Sequence, residues 1–576
     1  MISSLQCLVV MLSLMLTCFI HAQRPNIILI VADDLGWDDV GFHGSEVKTP
    51  NIDKLAYDGV ILNNYYVSPI CTPTRGSLMT GRHPIHLGLQ HGVIRAPEPY
   101  GLPLNHTTMA QHLKHLGYAT HIVGKHYVIS APEPWGLPLN HTTMAQHFKH
   151  LGYSTHIVGK WHLGFFREEY LPTNRGFDSH YGYWTGKEDY FNHLDQDVYM
   201  GLDYRRNLAV VNHTAYSTEE YTNEAVKIIN SHNKSEPLFL YLAHQAVHAG
   251  NSQAPLQSPD EYVNRFPYID NSRRRTFAGM AAALDDSVGE VVRTLNHNNM
   301  MDNTIIVFST DNGGPANNYD KNSACNYPLR GTKNTLWEGG VHGVGFVHSR
   351  LLKKKHVKTD SMVHVSDWLP TLYSAAGGDG ADLGLIDGID QWEMILNNGS
   401  SVRTEILHNI DPVNKFSAIR VGDYKLIQGD ISGGRNDHWY PCSFPFEPEE
   451  YNATDSVYEK IVQSLYEKEI SIRAKMSSTF SNHSPNSPFN IMCGDPPANY
   501  TTNCLPQKAA CLFHIPTDPC EYNNIADKNP EIVANLQARI QRHAEGAVPP
   551  VNKPIDKSAN PLFHGGVWVP WQGSGL

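Results

Sequence analysis

Ile27-Ile28-Leu29-Ile30-Val31-Ala32 is apolar at every position and stops at the acidic pair Asp33-Asp34. A strand with one wet face alternates apolar and polar residues. An unbroken run instead fits a strand buried on both faces, as in a parallel sheet covered by helices. The pattern returns twice: Leu238-Phe239-Leu240-Tyr241-Leu242-Ala243 leads to His244 and His248, and Thr304-Ile305-Ile306-Val307-Phe308 stops shortly before Asp311-Asn312-Gly313-Gly314. Helical stretches lie between these runs, among them Arg274 to Leu295 with Met280-Ala281-Ala282-Ala283. In open α/β sheets the ligand sits outside the carboxyl ends of the strands, so the three polar clusters are expected to converge on one crevice. The expected fold is α/β, a large, mostly parallel central sheet flanked by helices over residues 23–395, with a smaller C-terminal α+β domain over 396–576. The Gly-rich polar stretch from Leu385 to Ser401 marks the boundary, and Ile419-Arg420-Val421-Gly422-Asp423-Tyr424-Lys425-Leu426-Ile427 reads as a hairpin beyond it.

The 576-residue chain is long enough to bury a large core in two domains. Met1 to Ala22 is apolar through Leu8-Val9-Val10-Met11-Leu12-Ser13-Leu14-Met15-Leu16 and gives way to Gln23-Arg24-Pro25. It reads as a cleaved signal peptide, although its amino end lacks a positive side chain. The apolar stretch is shorter than the roughly 20 residues a membrane span needs, and no later segment is long and apolar enough. Cys7 and Cys18 leave with this peptide, so seven cysteines remain: Cys71, Cys325, Cys442, Cys493, Cys504, Cys511 and Cys520. An odd number in an oxidising compartment leaves one without a partner. Cys71 is the isolated one, while five of the others crowd into the last quarter and look like disulfide partners. Eight Asn-x-Ser/Thr sequons, at Asn105, Asn140, Asn212, Asn233, Asn398, Asn452, Asn482 and Asn499, agree with the secretory pathway, lysosomal or secreted. A net charge of -12 argues against nucleic-acid binding. The 32 histidines would largely reverse it near pH 5, which suits an acidic compartment and a polyanionic substrate.

A tandem repeat interrupts the first domain. His91 to Lys125 and His126 to Lys160 differ only at Gly92/Tyr127, Arg95/Ser130, Tyr100/Trp135, Leu113/Phe148 and Ala119/Ser154. Two copies are too few for a solenoid, which needs about three or more. Each cassette carries a helix-like stretch (Thr107 to Leu116 in the first copy) and a strand-like one (Tyr118 to Val123). A single sheet has one natural slot for such a unit, so one cassette is expected to be redundant, through recent duplication or through two alternative exons joined in one chain.

Cys71-Thr72-Pro73-Thr74-Arg75-Gly76-Ser77-Leu78-Met79-Thr80-Gly81-Arg82 is the most informative stretch. It resembles the signature of the type I sulfatases, in which C-x-P-x-R is read by the formylglycine-generating enzyme and the cysteine is oxidised to formylglycine (3-oxoalanine). The resemblance implies the alkaline-phosphatase-like sulfatase fold and hydrolysis of sulfate esters. The modification suits that chemistry, because a bare thiolate offers no easy way to release a covalent sulfate. An aldehyde hydrate does: one geminal hydroxyl attacks sulfur as the alcohol leaves, and the other collapses to the aldehyde and expels sulfate. A divalent cation would lower the nucleophile's pKa and offset the sulfate charge. Hard cations take oxygen ligands, which Asp33, Asp34, Asp311 and Asn312 supply at two strand ends. Ala32-Asp33-Asp34-Leu35-Gly36-Trp37 and Ser309-Thr310-Asp311-Asn312-Gly313-Gly314 resemble the family's two calcium-binding segments, so these four residues and Cys71 are the expected ligands of Ca2+. Oxygen ligands alone do not exclude magnesium.

Gly159-Lys160-Trp161-His162-Leu163-Gly164 resembles the family segment whose lysine and histidine contact the sulfate and the formylglycine. His248 and Lys333, in Leu329-Arg330-Gly331-Thr332-Lys333, match the histidine and lysine that flank the sulfate. The resemblance implies that Arg75 and Lys160 hold the modified residue, that His162 is the base in sulfate release, and that His248 or Lys333 protonates the departing alcohol. Lys125 would take the place of Lys160 in a chain lacking the second cassette. The similarity covers nearly all of the mature chain. Ile386-Asp387-Gly388-Ile389-Asp390 and Leu407-His408-Asn409-Ile410-Asp411-Pro412 look most like the arylsulfatase B branch, the N-acetylgalactosamine-4-sulfatases. The implied substrates are sulfated carbohydrates, with dermatan and chondroitin 4-sulfate first, or aryl sulfates. Alternatives are a secreted sulfatase for dietary or defensive sulfate esters, a phosphatase or phosphonate hydrolase on the same fold, and an inactive sulfatase-like protein. Serine or threonine nucleophiles or zinc are typical of the phosphatases, and this chain has Cys71 and no zinc-type His/Asp set.

Overall fold

The computed structural model describes residues 24–100, 142–317, 319–429, 434, 436–442 and 491–573. Its strands, in chain order, are β1 (Asn26–Ala32), β2 (Val60–Tyr66), β3 (Ser154–Lys160), β4 (Ser179–Tyr183), β5 (Leu194–Gln196), β6 (Met200–Leu202), β7 (Arg205–Arg206) and β8 (Ala209–Val210). There follow β9 (Leu238–Ala243), β10 (Thr304–Thr310), β11 (Gly345–Ser349), β12 (Val357–His364), β13 (Glu405–Asp411), β14 (Phe416–Val421), β15 (Tyr424–Gln428) and β16 (Cys511–His514). Ten form one sheet in the order β12-β2-β11-β10-β1-β9-β3-β4-β7-β8, and four form a second in the order β13-β14-β15-β16.

The three apolar runs are the centre of the large sheet. β1 pairs in parallel with β10 on one side and β9 on the other, β9 with β3, and β3 with β4. Every residue of β1 is buried. Ile27, Leu29 and Val31 join one core cluster, and Ile28, Ile30 and Ala32 the other, so both faces are covered, as an unbroken apolar run requires. The helix Ser272–His297 covers the second face with Phe277, Met280, Leu284, Val288 and Val291, and begins where the Asn271 side chain accepts from the backbone N–H groups of Arg273 and Arg274. Among the described residues the antiparallel strands of this sheet lie toward its edges, β11 on one side and β7 and β8 on the other. The register sets the site: Ala32 lies opposite Thr310, Val31 opposite Ala243, and Gly159 opposite Ala243. The chain therefore leaves β1, β10, β9 and β3 at one sheet end, carrying Asp33, Asp311, His244 and Lys160 with it.

The second cassette fills the slot. Its helix Met144–His150 starts at a capping box of Thr143 and Gln146, and its strand, β3, lies between β9 and β4. The first cassette contributes residues 91–100; its helix-like and strand-like stretches, and Lys125, lie outside the described residues. Deleting residues 101–135 would join Tyr100 to Gly136, the repeat equivalent of Gly101, and keep every described residue. Loop-closure entropy changes by only about 0.6 kcal/mol per doubling of length. The deletion variant is therefore expected to unfold within a few degrees of the full chain by calorimetry, and a chain that no longer folds would show that both cassettes are needed.

The antiparallel sheet follows the expected hairpin: β14 and β15 are joined through Gly422-Asp423, with Gly422 in the left-handed region at φ 55°. The helix Pro530–Glu545 packs Leu536 and Ile540 against Leu407, Ile419, Leu426 and Leu512 of this sheet. Disulfides join Cys325 to Cys442, Cys493 to Cys520 and Cys504 to Cys511, and Cys71 is free and buried. Among the described residues no helix is long and apolar enough to cross a membrane. The sequon asparagines Asn212, Asn233, Asn398 and Asn499 are exposed. The signal-peptide reading and the sequons at Asn105, Asn140, Asn452 and Asn482 lie outside the described residues.

Candidate active site

Cys71 opens the helix Cys71–Thr80, directly after Ile70 in extended conformation, and all ten helix residues are buried. A surface helix would show a polar stripe. This one is sunk in the core with its amino end, the positive pole of the helix, at the carboxyl ends of β1 and β10. Pro73 lies in the first turn, where its missing N–H costs no helix bond. Gly81 ends the helix with φ 65°, its N–H donating to the Ser77 carbonyl.

Around Cys71 stand three carboxylates and three cations. Cys71 Sγ is 3.7 Å from Asp33 Oδ1. Asp33 Oδ2 accepts from Lys160 Nζ at 2.6 Å, Asp34 Oδ2 from Lys333 Nζ at 2.8 Å, and Asp311 Oδ2 from Arg75 Nη2 at 2.8 Å and Nε at 3.2 Å. The second oxygens knit the acids together: Asp311 Oδ1 accepts from the Asp34 backbone N–H at 3.2 Å, and Asp34 Oδ1 from Asn312 Nδ2 at 2.7 Å. Lys333 also donates to His248 Nε2 at 3.2 Å, while His248 Nδ1 donates to the Ala249 carbonyl at 2.6 Å. His162 donates from Nε2 to the Ile94 carbonyl at 2.9 Å, and its buried Nδ1 has no hydrogen-bond partner among the described residues. The Thr72 hydroxyl couples this histidine to the start of the helix, donating to the His162 carbonyl at 3.3 Å and accepting from the Ile94 N–H at 3.2 Å.

Burial and these contacts decide the charges. Burial pushes Asp33 up, but Lys160, Arg75 and Lys333 outweigh it and hold its carboxyl below the ordinary value. Burial lifts Asp34 to about 7 against the pull of Lys333, and burial together with Asp33 raises Asp311. Burial opposes the Lys333 ammonium, yet Asp34 and its neighbours keep its pKa above normal. His248 and His162 are neutral imidazoles, their pKa values lowered by burial and then by the nearby lysines. Burial drives the Cys71 thiol well up, so the unmodified side chain is a protonated thiol and a poor nucleophile.

All ten residues singled out in the sequence apart from Lys125, namely Asp33, Asp34, Cys71, Arg75, Lys160, His162, His248, Asp311, Asn312 and Lys333, lie in this region. Ligand atoms of Asp33, Asp34, Cys71 and His248 are all within 4.8 Å of one another. The buried Asn312 Oδ1 has no hydrogen-bond partner among the described residues. Three carboxylates and an amide oxygen suit a hard divalent cation such as Ca2+, so the residues present fit the metal. Two participants were not legible in the sequence. Tyr241 accepts from Arg75 Nη1 at 3.2 Å, but sits in an apolar strand where a tyrosine reads as core. Asp320 accepts from Lys333 Nζ at 3.1 Å, from the short 3-10 turn Tyr319–Lys321, which carries no motif.

The comparisons with known proteins agree with this geometry. The family profile described as Sulfatase matches residues 25–133 and again 125–378, the two matches overlapping within the tandem repeat. The chain is 36% identical to arylsulfatase J of Mus musculus over 572 residues, covering 95% of this chain and 80% of the relative. It is 29% identical to N-acetylgalactosamine-6-sulfatase of Homo sapiens over 341 residues, 55% of this chain and 56% of the relative. Among solved structures, Ps i-CgsB in complex with k-i-k-neocarrahexaose superposes with a TM-score of 0.65 at 26% identity, covering 92% of this chain and 94% of that one.

Proposed function

The chain belongs to the sulfatase family and is a sulfuric ester hydrolase; from that premise we propose that it removes sulfate from sulfated sugars, the 4-sulfate of N-acetylgalactosamine in dermatan and chondroitin sulfate first among them. The observation that carries this reading is Cys71, free and buried at a helix amino end, beside the carboxylate of Asp33. The 4-sulfate preference rests on the likeness of Ile386–Asp390 and Leu407–Pro412 to the arylsulfatase B branch. The match to a 6-sulfatase favours a second reading, the 6-sulfate of the same sugar. Hydrolysis of 4- and 6-sulfated chondroitin disaccharides side by side separates the two.

Cys71, once converted to formylglycine, would supply two geminal hydroxyls, one able to attack sulfur and the other to expel sulfate. Asp33, Asp34, Asp311, Asn312 and residue 71 would hold a divalent ion, which would supply positive charge against the sulfate. Arg75, fixed by Asp311 and Tyr241, and Lys160, fixed by Asp33, hold residue 71 and face the anion. His162 has the lone pair of Nδ1 available to take a proton, because its Nε2–H is engaged by Ile94. His248 and Lys333, hydrogen-bonded to each other, deliver a proton to the departing alcohol. In our reading the catalytic domain spans 23–395, the smaller domain 396–576, and the formylglycine-generating enzyme acts during maturation in the secretory pathway. Three disulfides and four exposed sequons support that route.

Mass spectrometry of the tryptic peptide containing Cys71, from a secretory host, tests the reading against a Cys71→Ser control. A loss of about 18 Da at Cys71 is expected for thiol-to-aldehyde conversion. An unmodified Cys71, in a host that modifies another sulfatase, would remove the nucleophile and with it the function. Metal removal gives a second test. Chelation with EGTA and dialysis should lower turnover by about a hundredfold or more, with recovery on adding Ca2+ and elemental analysis showing metal returning to the chain. Undiminished turnover by metal-free protein would exclude the ion.

A further inference from the structure

Resting on the sulfatase reading above, we propose that Asp320 reads the substituent beside the sulfate ester, accepting a hydrogen bond from a free neighbouring hydroxyl, so that the protein prefers sulfate esters of vicinal diols. Asp320 is the outermost member of the Lys333 cluster. Its side chain is 32% exposed, against 3% for Lys333, 7% for His248 and none for Asp34. Its Oδ2 accepts from Lys333 Nζ at 3.1 Å, and among the described residues no donor reaches its Oδ1. The departing alcohol is the part of the substrate that meets His248 and Lys333. The carbon next to the leaving oxygen therefore lies on the solvent side of these two groups, where Asp320 stands.

The backbone holds the carboxylate there at a cost. Asp320 and Lys321 both occupy the left-handed region, at φ 56° and 54°. Two successive non-glycine residues in that region are unusual, and such strain persists where the surroundings over-determine it, often beside ligands. The next residue is tied to the segment carrying His248: Asn322 Nδ2 donates to the Val247 carbonyl at 2.9 Å, and Arg273 donates to the Lys321 carbonyl. Against burial, Lys333 above all, with Lys187, holds the Asp320 carboxyl ionised. An ionised carboxylate only accepts hydrogen bonds. It therefore rewards a hydroxyl at the adjacent carbon and repels a second sulfate there, which is discrimination by both attraction and repulsion.

The test compares 2-hydroxy-5-nitrophenyl sulfate, which has a hydroxyl next to the ester, with 4-nitrophenyl sulfate, which has none. The ratio of their kcat/KM values is measured for the unsubstituted protein and for Asp320→Gly, which keeps the backbone conformation accessible. The intrinsic difference in leaving-group acidity is the same for both proteins and cancels in the comparison. The ratio should fall about tenfold in Asp320→Gly, the scale of one hydrogen bond to a charged group. Asp320→Asn, which tolerates the left-handed turn and keeps the side-chain volume, should move it the same way by less. A ratio unchanged within about twofold in both variants would overturn the assignment of Asp320 while leaving the sulfatase reading intact. Failure of the unsubstituted protein to hydrolyse either ester would overturn that reading, and this one with it.

Discussion

Cys71→Ala should lose sulfate-ester turnover by about four orders of magnitude or more, the scale seen when a covalent nucleophile is removed from a unit of cooperating groups. The protein around it should still fold. Cys71 is buried and unpaired, and among the described residues its sulfur makes one long polar contact, to Asp33 Oδ1 at 3.7 Å. Alanine keeps the first turn of the helix and removes one sulfur atom, a change worth on the order of 1 kcal/mol. Thermal unfolding therefore stays near that of the unsubstituted protein while activity on 2-hydroxy-5-nitrophenyl sulfate disappears. Retention of more than about 1% of the turnover would place the nucleophile elsewhere. The contrast with Lys160, His162, His248 and Lys333 is instructive. Each of those is one of several groups around the anion, so removing one should leave residual turnover, whereas residue 71 has no understudy.

The centre of the sheet was readable because burial on both faces leaves a local mark. The β1, β9 and β10 runs have no alternation, and each is followed by polar residues that parallel register then draws to one end. That these side chains would meet around Cys71 was readable through the resemblance and, for the acids, through their position after apolar strands. The rest is recorded only in tertiary contacts. β2 carries Asn63 and Asn64 within it and pairs with β11 and β12, hundreds of residues away. β16 returns to β15 from beyond residue 500. Cys325, far from the other paired cysteines, finds Cys442. The cassettes show the limit most plainly. Two nearly identical stretches have the same local claim to a helix and a strand, and only the slot between β9 and β4, with Trp161 and His162 next in the chain, selects the second.

The largest stability effect is expected where the large sheet meets the small one. Lys425, on β15, is completely buried, with Nζ 2.7 Å from Glu338 Oε1 and 2.9 Å from Glu521 Oε1. Glu338 also accepts from the Tyr66 hydroxyl at 2.8 Å, and its backbone N–H donates to Glu521 Oε2 at 2.8 Å. His342 Nδ1 lies 3.1 Å from Glu338 Oε2, and Arg420 of β14 donates to the Tyr66 hydroxyl and to Asn64 Oδ1. One ammonium is thus shared by two carboxylates in a network that ties β2, the helical turn Glu338–Val341, β14 and β15. Lys425→Met keeps the volume and strands both acids without their shared cation, a defect that costs about 3–5 kcal/mol. Even with Lys425 present, burial pushes Glu521 up to about 7. Without it, at least one of the pair must take a proton to stay buried. A carboxyl whose folded pKa exceeds its unfolded one binds the extra proton in the folded state, so the variant should recover stability as pH falls from above that folded value toward the unfolded value near 4.3. Calorimetry should therefore show Lys425→Met unfolding about 5 °C or more below the parent at pH 8, with a smaller gap at pH 5. Adding Glu521→Gln removes one stranded charge and should return part of the loss. A single variant that melts with the parent at pH 8 would mean that the carboxylates are already neutral, and that the interface is held by its apolar contacts, such as Trp337 against Phe513, rather than by this buried charge.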